Sequence, residues 1–562
     1  MLKKYLLCFL TICINTGKTT AQNNKTVSIT IDIAAKPEAL KNIWTYFGYD
    51  EPNYTYMKDG KKLLTEIAAF SRTPVYVRTH NLLTTGDGTA ALKWGSTNAY
   101  TEDSAGNAIY NWHIVDSIFD TYTKLGMKPI AEIGFMPEAL STHPQPYKHN
   151  WKPGLPYEQV YTGWAYPPKD YTKWAELVYQ WVKHCVQRYG ETEVNSWWWE
   201  VWNEPNIGYW KGTAEEYFKL YDYAADAVKR ASPGARIGGP TSTGPAWDKA
   251  EKFLRSFLSH CADSINAATG KKGAPLDYIS FHAKGSPKFI NGHVRMNMVP
   301  ELTDIVKGCE AVMASSFKSL PMIIGECDPE GCAACGMATN PENAYRNGTM
   351  YSSYTAASFA RIHDIAKQTG ANIEGAVSWS FEFENQPWFY GFRDLATNGI
   401  DKPVLNVFRM YALMHGNKIV ADNPAAIQFD TLMKNSIRGT QRDIGTFAAA
   451  DSNSTSVMVW NYHDDDLPGL PQSIALSFKN IPAKNIAVEL YRIDSTHSNS
   501  YELWKAMGKP QQVNETQYKQ LETAGQLNKE ILFKNKKVTN AGFNTSLLLP
   551  CQGVYLVSLK YL

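Results

Sequence analysis

The chain has 562 residues, 44% hydrophobic and 20% charged, an ordinary globular composition with room for a large core and more than one domain. A formal net charge of +2 carries no basic excess of the kind that selects nucleic acid or an anionic membrane surface. The unusual figure is aromatic, with 17 tryptophans and 32 tyrosines, whose ring faces suit the apolar faces of sugar rings.

At the start, Lys3 and Lys4 precede an apolar run at 5–14 and a polar stretch closing on Thr19-Thr20-Ala21, the pattern of a secretory signal peptide over residues 1–21. The run is too short to span a bilayer, and no other segment offers enough uninterrupted apolar residues to do so. The expectation is an exported protein, periplasmic or secreted, without a membrane span. An oxidising compartment lets cysteines pair, and Cys327, Cys332 and Cys335 share one short loop. A zinc site wants a fourth ligand, so a local disulfide with one free partner is the better reading, with the pairing open.

Residues 22–40 hold one alternating strand, 26–33, that stands apart from the repeating units after it and is assigned to a later β-domain. From 41 to 416 the chain repeats a strand and then an amphipathic helix. The pattern predicts strands at 43–48, 74–80, 128–134, 196–204, 235–239, 276–282, 321–326 and 373–380, with helices such as 171–189 and 215–231 between them. Eight such units predict an α/β fold, a (β/α)8 TIM barrel with enlarged loops. From 417 to 562 short alternating strands such as 456–462 and 486–491, without helical crossovers, predict a β-sandwich.

Barrel enzymes place their chemistry at the carboxyl ends of the strands. The fourth strand runs through WWWEVWNEPNIGYW, where Pro205 stops ladder pairing, so the strand is read as ending at or near Glu204. A carboxyl walled by indoles is partly desolvated, holds its proton and serves as a general acid. The second strand delivers Arg78 and His80, the sixth His282 and Lys284, and the seventh Glu326 on a rigid Ile323-Ile324-Gly325 end. Glu132, Glu330, Glu382 and Glu384 also fall near predicted strand ends and compete with Glu326. Two acids facing each other across a barrel mouth, one protonated and one ionised, are what a retaining glycosidase needs, at a carboxyl separation of roughly 5–5.5 Å. Tyr209 and Trp210 are candidates for the outer cleft or for core packing.

WNEP on the fourth strand with a glutamate on the seventh marks the large clan of barrel glycosidases, and RTH, IAEIGFMPEAL, GGP and KPVL resemble glycoside hydrolase family 39. YRIDSTHSN and LWKAMGKP in the tail resemble that family's accessory β-domain, so the resemblance covers nearly the whole mature chain. It implies Glu204 as acid/base and Glu326 as nucleophile, the pair reached above from strand ends, with Arg78 bracing the nucleophile. It also implies Asn203 on the sugar 2-hydroxyl and His80 and His282 on ring hydroxyls; no metal or cofactor is expected. The family contains β-xylosidases and α-L-iduronidases. LDYISFHAKG, Asp328-Pro329 after Glu326 and ASPGARIGGP lean toward the iduronidase branch. In that branch a lysine at the place of Lys284 holds the uronate, Arg393 looks like its second ligand, and Glu384 stands where the branch has an aspartate. The expected activity is therefore an exo-acting retaining glycosidase removing a terminal uronic acid from oligosaccharides or a polysaccharide, the alternatives being a β-D-xylosidase and a non-catalytic carbohydrate-binding barrel.

Overall fold

In the computed structural model, which describes residues 25–562, eight parallel strands close into a barrel. The candidate signal peptide lies outside the described residues. The strands are β1 (Tyr46–Tyr49), β2 (Tyr76–Thr79), β3 (Lys128–Ile133), β4 (Trp198–Val201), β5 (Arg236–Ser242), β6 (Tyr278–Lys284), β7 (Met322–Asp328) and β8, which is broken at Val377 into Ile373–Ala376 and Ser378–Trp379. The first half of β8 pairs with β7 and the second half with β1, so one interrupted strand closes the ring. A helix follows each strand: α1 (Lys58–Phe70), α2 (His113–Lys124), α3 (Tyr171–Tyr189), α4 (Ala214–Ala231), α5 (Asp248–Asp263), α6 (Val299–Met313), α7 (Thr349–Thr369) and α8 (Pro403–Ala412). Local chemistry starts them: Asp170 accepts from the amides of Thr172 and Lys173 before α3, and Thr213 with Glu216 forms a capping box before α4.

Strand alternation sorts the side chains between the barrel lumen and the helix layer. From β4, Trp197 and Trp199 face outward onto Phe119 of α2 and Trp181 of α3. The intervening Trp198 faces inward, onto Tyr76 of β2 and Tyr278 of β6, and forms an aromatic floor. Two residues further along each strand, Arg78 and Glu200 meet above that floor. Two further again come His80 and His282, at the mouth. The lumen is thus packed in layers, apolar below and charged above, with the polar groups where the strands end.

The rest of the chain forms two facing sheets. Val27–Asp32 pairs in parallel with Gln472–Lys479, which pairs with Phe543–Leu549. The opposite sheet carries Asp443–Ala450, Ser454–Tyr462, Val554–Tyr561, Asn485–Ile493 and Asn528–Lys537 in that spatial order, edged by Asn417–Ile419 and Glu38–Ala39. Ile29, Ile31 and Leu476 from one sheet and Val457, Val459 and Val557 from the other share a core. This region is not all β. Ser500–Ala506 and Glu515–Gly525 are helices, where the alternation predicts only strands. Each is short and buries little apolar surface, so its helical period is faint, although Asn499 caps the first and Asn514 with Gln517 forms a capping box for the second. The two helices reach back to the barrel, where Trp504 and Leu521 pack on Phe389 and Ile400 of the loop after β8. No helix among the described residues is long and apolar enough to cross a membrane.

The closing strand presses tightly on the first. A methyl group added at Gly48 would lie 2.3 Å from the indole of Trp379. Gly48→Ala is therefore expected to displace Trp379 and lower stability by about 1–3 kcal/mol, read as a shift in the urea denaturation midpoint; an unchanged midpoint would show that the barrel closes with more slack.

Candidate active site

β4 ends at Val201, three residues before Glu204, so Glu204 lies in the following turn and not at the strand's last position. Trp202 and Glu204 both take positive φ, 71° and 43°, a region that side-chain-bearing residues enter only when their surroundings hold them there. The holding contacts include the Glu204 amide, which donates to the Thr241 carbonyl at 2.9 Å, and the Trp202 indole, which donates to the Tyr209 carbonyl. The β4 tryptophans do not wall Glu204 as the sequence suggests. Trp202 packs on Phe135, Trp174 and Trp210, and the aromatic residues facing the cavity beside Glu204 are Trp151, Tyr157, Tyr209, Trp247 and Trp379. Tyr209 thus lines the cleft while Trp210 belongs to the core.

Glu326 reaches the same cavity from β7. A bulge at Gly325 shifts the β6–β7 register so that His282 sits beside Glu326 and Lys284 beside Asp328. The consequence is a cation on each side of the carboxylate. Lys284 Nζ lies 2.6 Å from Glu326 Oε2 and 2.5 Å from Asp328 Oδ2. On the other oxygen, Arg78 Nη1 approaches to 3.4 Å and His80 Nε2 to 3.5 Å. Burial alone would raise the Glu326 carboxyl, but the charges of Lys284, His282 and Arg78 and the hydrogen bond of His80 hold it well below the usual carboxylate range. Glu326 is built to stay ionised.

His282 Nδ1 stands between the two acids, 2.9 Å from Glu204 Oε1 and 3.8 Å from Glu326 Oε1. One oxygen of each carboxylate and a nitrogen of His282 all lie within 4.8 Å of one another. This triad has donor atoms for a metal ion, but both oxygens of Glu326 already face cations, and a divalent ion would be repelled by Lys284 and Arg78. The donor set suits organic chemistry between two carboxyl groups better than metal binding.

Beneath the acids, Arg78 is fully buried, donating to Glu200, to Glu132 and Asn203 Oδ1 at 3.1 Å each, and to Glu326. His80 Nδ1 lies 2.6 Å from Glu132. Burial lowers the His80 ring, but the Glu132 charge and the hydrogen bonds of Glu132 and Glu326 outweigh it and raise the ring to about 9, so it is cationic at neutral pH.

The cavity, of about 940 Å3, is lined by Glu204, Glu326, Lys284 and Arg393 together, joining residues from the turn after β4, from β6 and β7 and from the loop after β8. Asn203, His80 and His282 are buried just below it, around the carboxylates. Glu384 faces elsewhere: its carboxylate accepts from the Asp59 amide in the first turn of α1, a helix-capping position, and it lines no part of the cavity. Arg393 lines the cavity and is engaged by the Trp379 carbonyl through Nε, by Glu330 through Nη1 and, as an ion pair at 3.4 Å, by Asp328 through Nη2. Of the competing acids, Glu132 lies under the site, Glu330 holds Arg346 and Arg393, and Glu382 accepts from the Gly399 amide. Sequence reading misses Asp50 and Lys93, a buried pair 2.7 Å apart on the cavity wall. Asp50 follows β1 directly and is a strand-end residue like the others; Lys93 sits in a long irregular loop and carries no signal. Cys332 and Cys335 form the disulfide in the loop bordering the cavity, and the free Cys327 thiol donates to the buried Glu301.

A barrel whose mouth brings two carboxyl groups this close, one of them held ionised, has the fold and site of a glycosidase. The sequence profile of the Glycosyl hydrolases family 39 matches residues 27–540, and the chain belongs to that family. It is 26% identical over 524 residues to a β-xylosidase of Geobacillus stearothermophilus, covering 89% of this chain and 88% of that protein. To an α-L-iduronidase of Mus musculus it is 23% identical over 366 residues, covering 60% and 54%. In fold it is similar to the crystal structure of a monomeric β-xylosidase from Caulobacter crescentus CB15, with a TM-score of 0.72 at 21% identity over 96% of this chain and all of that one. The resemblance read from the motifs therefore stands, and the chain is a glycosidase.

The Lys284 ammonium is the first charge that keeps Glu326 ionised. Lys284→Met should raise the Glu326 carboxyl and move the acidic limb of the kcat/KM profile to higher pH by about one pH unit or more. An acidic limb that stays in place would mean that the limb reports another group.

Proposed function

We propose that the chain is a retaining, exo-acting glycosidase working by double displacement, with Glu326 as nucleophile and Glu204 as acid/base. The observation that carries this reading is the approach of the two carboxylates to within 4.8 Å around His282. That spacing fits the roughly 5–5.5 Å of retaining enzymes and leaves no space for the extra water of inverting ones, whose carboxyls stand roughly 6.5–9.5 Å apart. In the first step Glu326 attacks the anomeric carbon while Glu204 protonates the departing glycosidic oxygen. In the second, Glu204 takes a proton from water, which attacks the glycosyl ester and releases the sugar with its configuration retained. Asn203, fixed by Arg78, is assigned to the 2-hydroxyl. His282 Nε2, buried without a hydrogen bond within the protein, and His80 Nε2, held only by long contacts to Asp50 at 3.4 Å and Glu326 at 3.5 Å, are assigned to ring hydroxyls or a bridging water.

For the sugar, we infer a terminal β-D-xylosyl unit on an oligosaccharide or polysaccharide. A β-D-xyloside and an α-L-iduronide share configuration at the reacting carbon and differ chiefly at C5, where only the latter carries a carboxylate. The cations that line the cavity are already paired, Lys284 with Glu326 and Asp328, Arg393 with Asp328 and Glu330, and Lys93 with Asp50. A uronate would have to compete with buried protein carboxylates, whereas a neutral sugar would not. The β-xylosidase relative, aligned over most of both chains, supports the same choice. The uronide remains the second reading, because Lys284 and Arg393 do face the same cavity as the two acids. Export remains part of the proposal, supported by the Cys332–Cys335 disulfide, a bond favoured in oxidising compartments.

Proton NMR of the first-formed product should show the substrate's own anomeric configuration; an inverted product would remove Glu326 from the nucleophile's role. Glu204→Gln should lose about 10²–10⁴-fold in kcat/KM on a sugar leaving group and far less in kcat/KM on a dinitrophenyl glycoside, whose departure needs no protonation and for which the slowed second step shows in kcat instead. Equal losses on both would point to a different acid. Matched aryl β-D-xyloside and α-L-iduronide substrates should give the higher kcat/KM for the xyloside, and the reverse order would favour the uronide reading.

A further inference from the structure

The cavity is larger than one sugar needs. At about 940 Å3 it lies at the top of the range of roughly 300–1,000 Å3 that accommodates drug-sized ligands. Its outer part is lined by side chains with no part in the chemistry above, among them Trp151, Leu155 and Trp247. Two of these are large apolar residues left open to solvent: Trp247 is 49% exposed and Leu155 43% exposed. An exposed indole on the rim of a sugar-cleaving cavity is a surface in search of a flat apolar partner.

Its place in the fold says which part of the substrate that partner is. The acid/base protonates the oxygen of the leaving group, so the leaving group lies on Glu204's side of the cavity. The end of β5 and the loop after it, which carries Trp247, are joined to the Glu204 turn by three hydrogen bonds. The Glu204 amide donates to the Thr241 carbonyl at 2.9 Å, the Thr243 amide donates to Asn206 Oδ1 at 3.0 Å, and Asn206 Nδ2 donates to Thr243 Oγ1 at 2.6 Å. The other end of the loop is tied to Lys284. Asp304 of α6 accepts from the Ala246 amide at 2.8 Å with one carboxylate oxygen and from the Lys284 amide at 3.2 Å with the other. Gly244 packs directly on that carboxylate, where a methyl group would meet it at 2.2 Å. The backbone that carries Trp247 is therefore held relative to both Glu204 and Lys284, while its ring is half exposed, with Lys249 Nζ 5.4 Å from its centroid.

We propose that Trp247 is the platform of a leaving-group subsite, on which the pyranose ring next to the cleaved bond stacks. The preferred substrate is then an oligosaccharide, with the aglycone a sugar. This rests on the assignment of Glu204 as acid/base.

The test compares two leaving groups on the same glycosyl unit: xylobiose, whose second ring reaches Trp247, and β-D-xylopyranosyl fluoride, whose fluoride does not. In Trp247→Ala the ratio of kcat/KM on xylobiose to that on the fluoride should fall about tenfold, mainly through KM, and Trp247→Phe should restore most of it. An unchanged ratio, or equal losses on both substrates, overturns the platform. A second measurement does not depend on turnover. In a Glu326→Gln background, calorimetry should show xylobiose binding weakened about tenfold by Trp247→Ala and xylose binding unaffected; equal affinities for xylobiose with and without the indole overturn the proposal. Should the wild type hydrolyse neither xylosyl compound, the function proposed above fails on that result alone, and the same ratio and calorimetric comparison with an iduronic-acid-terminated disaccharide, iduronyl fluoride and the free acid decides the platform.

Discussion

The site hangs on one buried cation. Arg78 projects from β2 into the barrel lumen with no exposed surface, and a guanidinium there costs several kcal/mol of desolvation unless its donors are filled. Glu200, Glu132, Glu326 and Asn203 fill them. Arg78 in turn makes it possible to bury so many carboxylates together. Even so, burial raises the Glu200 carboxyl to about 7 against the pull of Arg78. A buried ion network of this kind contributes little net stability compared with a well-packed apolar layer. What it supplies here is position: Asn203 and Glu326 are anchored to one rigid planar group, on strands that lie on different sides of the barrel.

The surrounding charges then set the roles of the two acids. Glu326 is flanked on both oxygens by cations, whereas Glu204 is reached by the His282 ring and stands in a strained turn that opens toward the aromatic part of the cavity. Two glutamates of the same intrinsic acidity are thereby given unequal surroundings, the division of labour that a double displacement requires. The accessory region takes part at a distance. Two of its helices, Ser500–Ala506 and Glu515–Gly525, pack on the loop after β8, and that loop carries Arg393, which clamps Asp328 and Glu330 beside the nucleophile. The accessory region thus packs against the loop that borders the active site.

Much of this was legible in the sequence because strand alternation and strand ends are local rules. Arg78 and His80 two residues apart, and His282 and Lys284 likewise, must share a face, and the acid after Trp-Asn had to fall near the mouth. What the rules could not see lies where backbone geometry is irregular. Glu204 leaves the strand through two positive-φ residues, so the indoles before it point into the core and the helix layer and not toward it. Asp50 is missed because the predicted first strand stops at Gly48, while pairing with β2 continues through Tyr49. Glu384 is misplaced because β8 ends at Trp379 and the chain then runs toward α1, a direction that no periodicity encodes. Lys284 is the subtler case. Its position on β6 is readable, but whether its charge is free for a substrate or spent on Glu326 and Asp328 depends on a bulge at Gly325 that only the three-dimensional register reveals.

The central claim is that Glu326, held ionised by its cationic neighbours, forms the bond to the sugar. The direct measurement is to inactivate the protein with 2-deoxy-2-fluoro-β-D-xylosyl fluoride, digest it and locate the added mass by peptide mass spectrometry. A single fluoroxylosyl ester on Glu326, absent in Glu326→Gln and formed more slowly when Lys284 is replaced by Met, is the result expected. A label on Glu132, Glu330 or any other carboxylate, with Glu326 unmodified, would contradict the assignment.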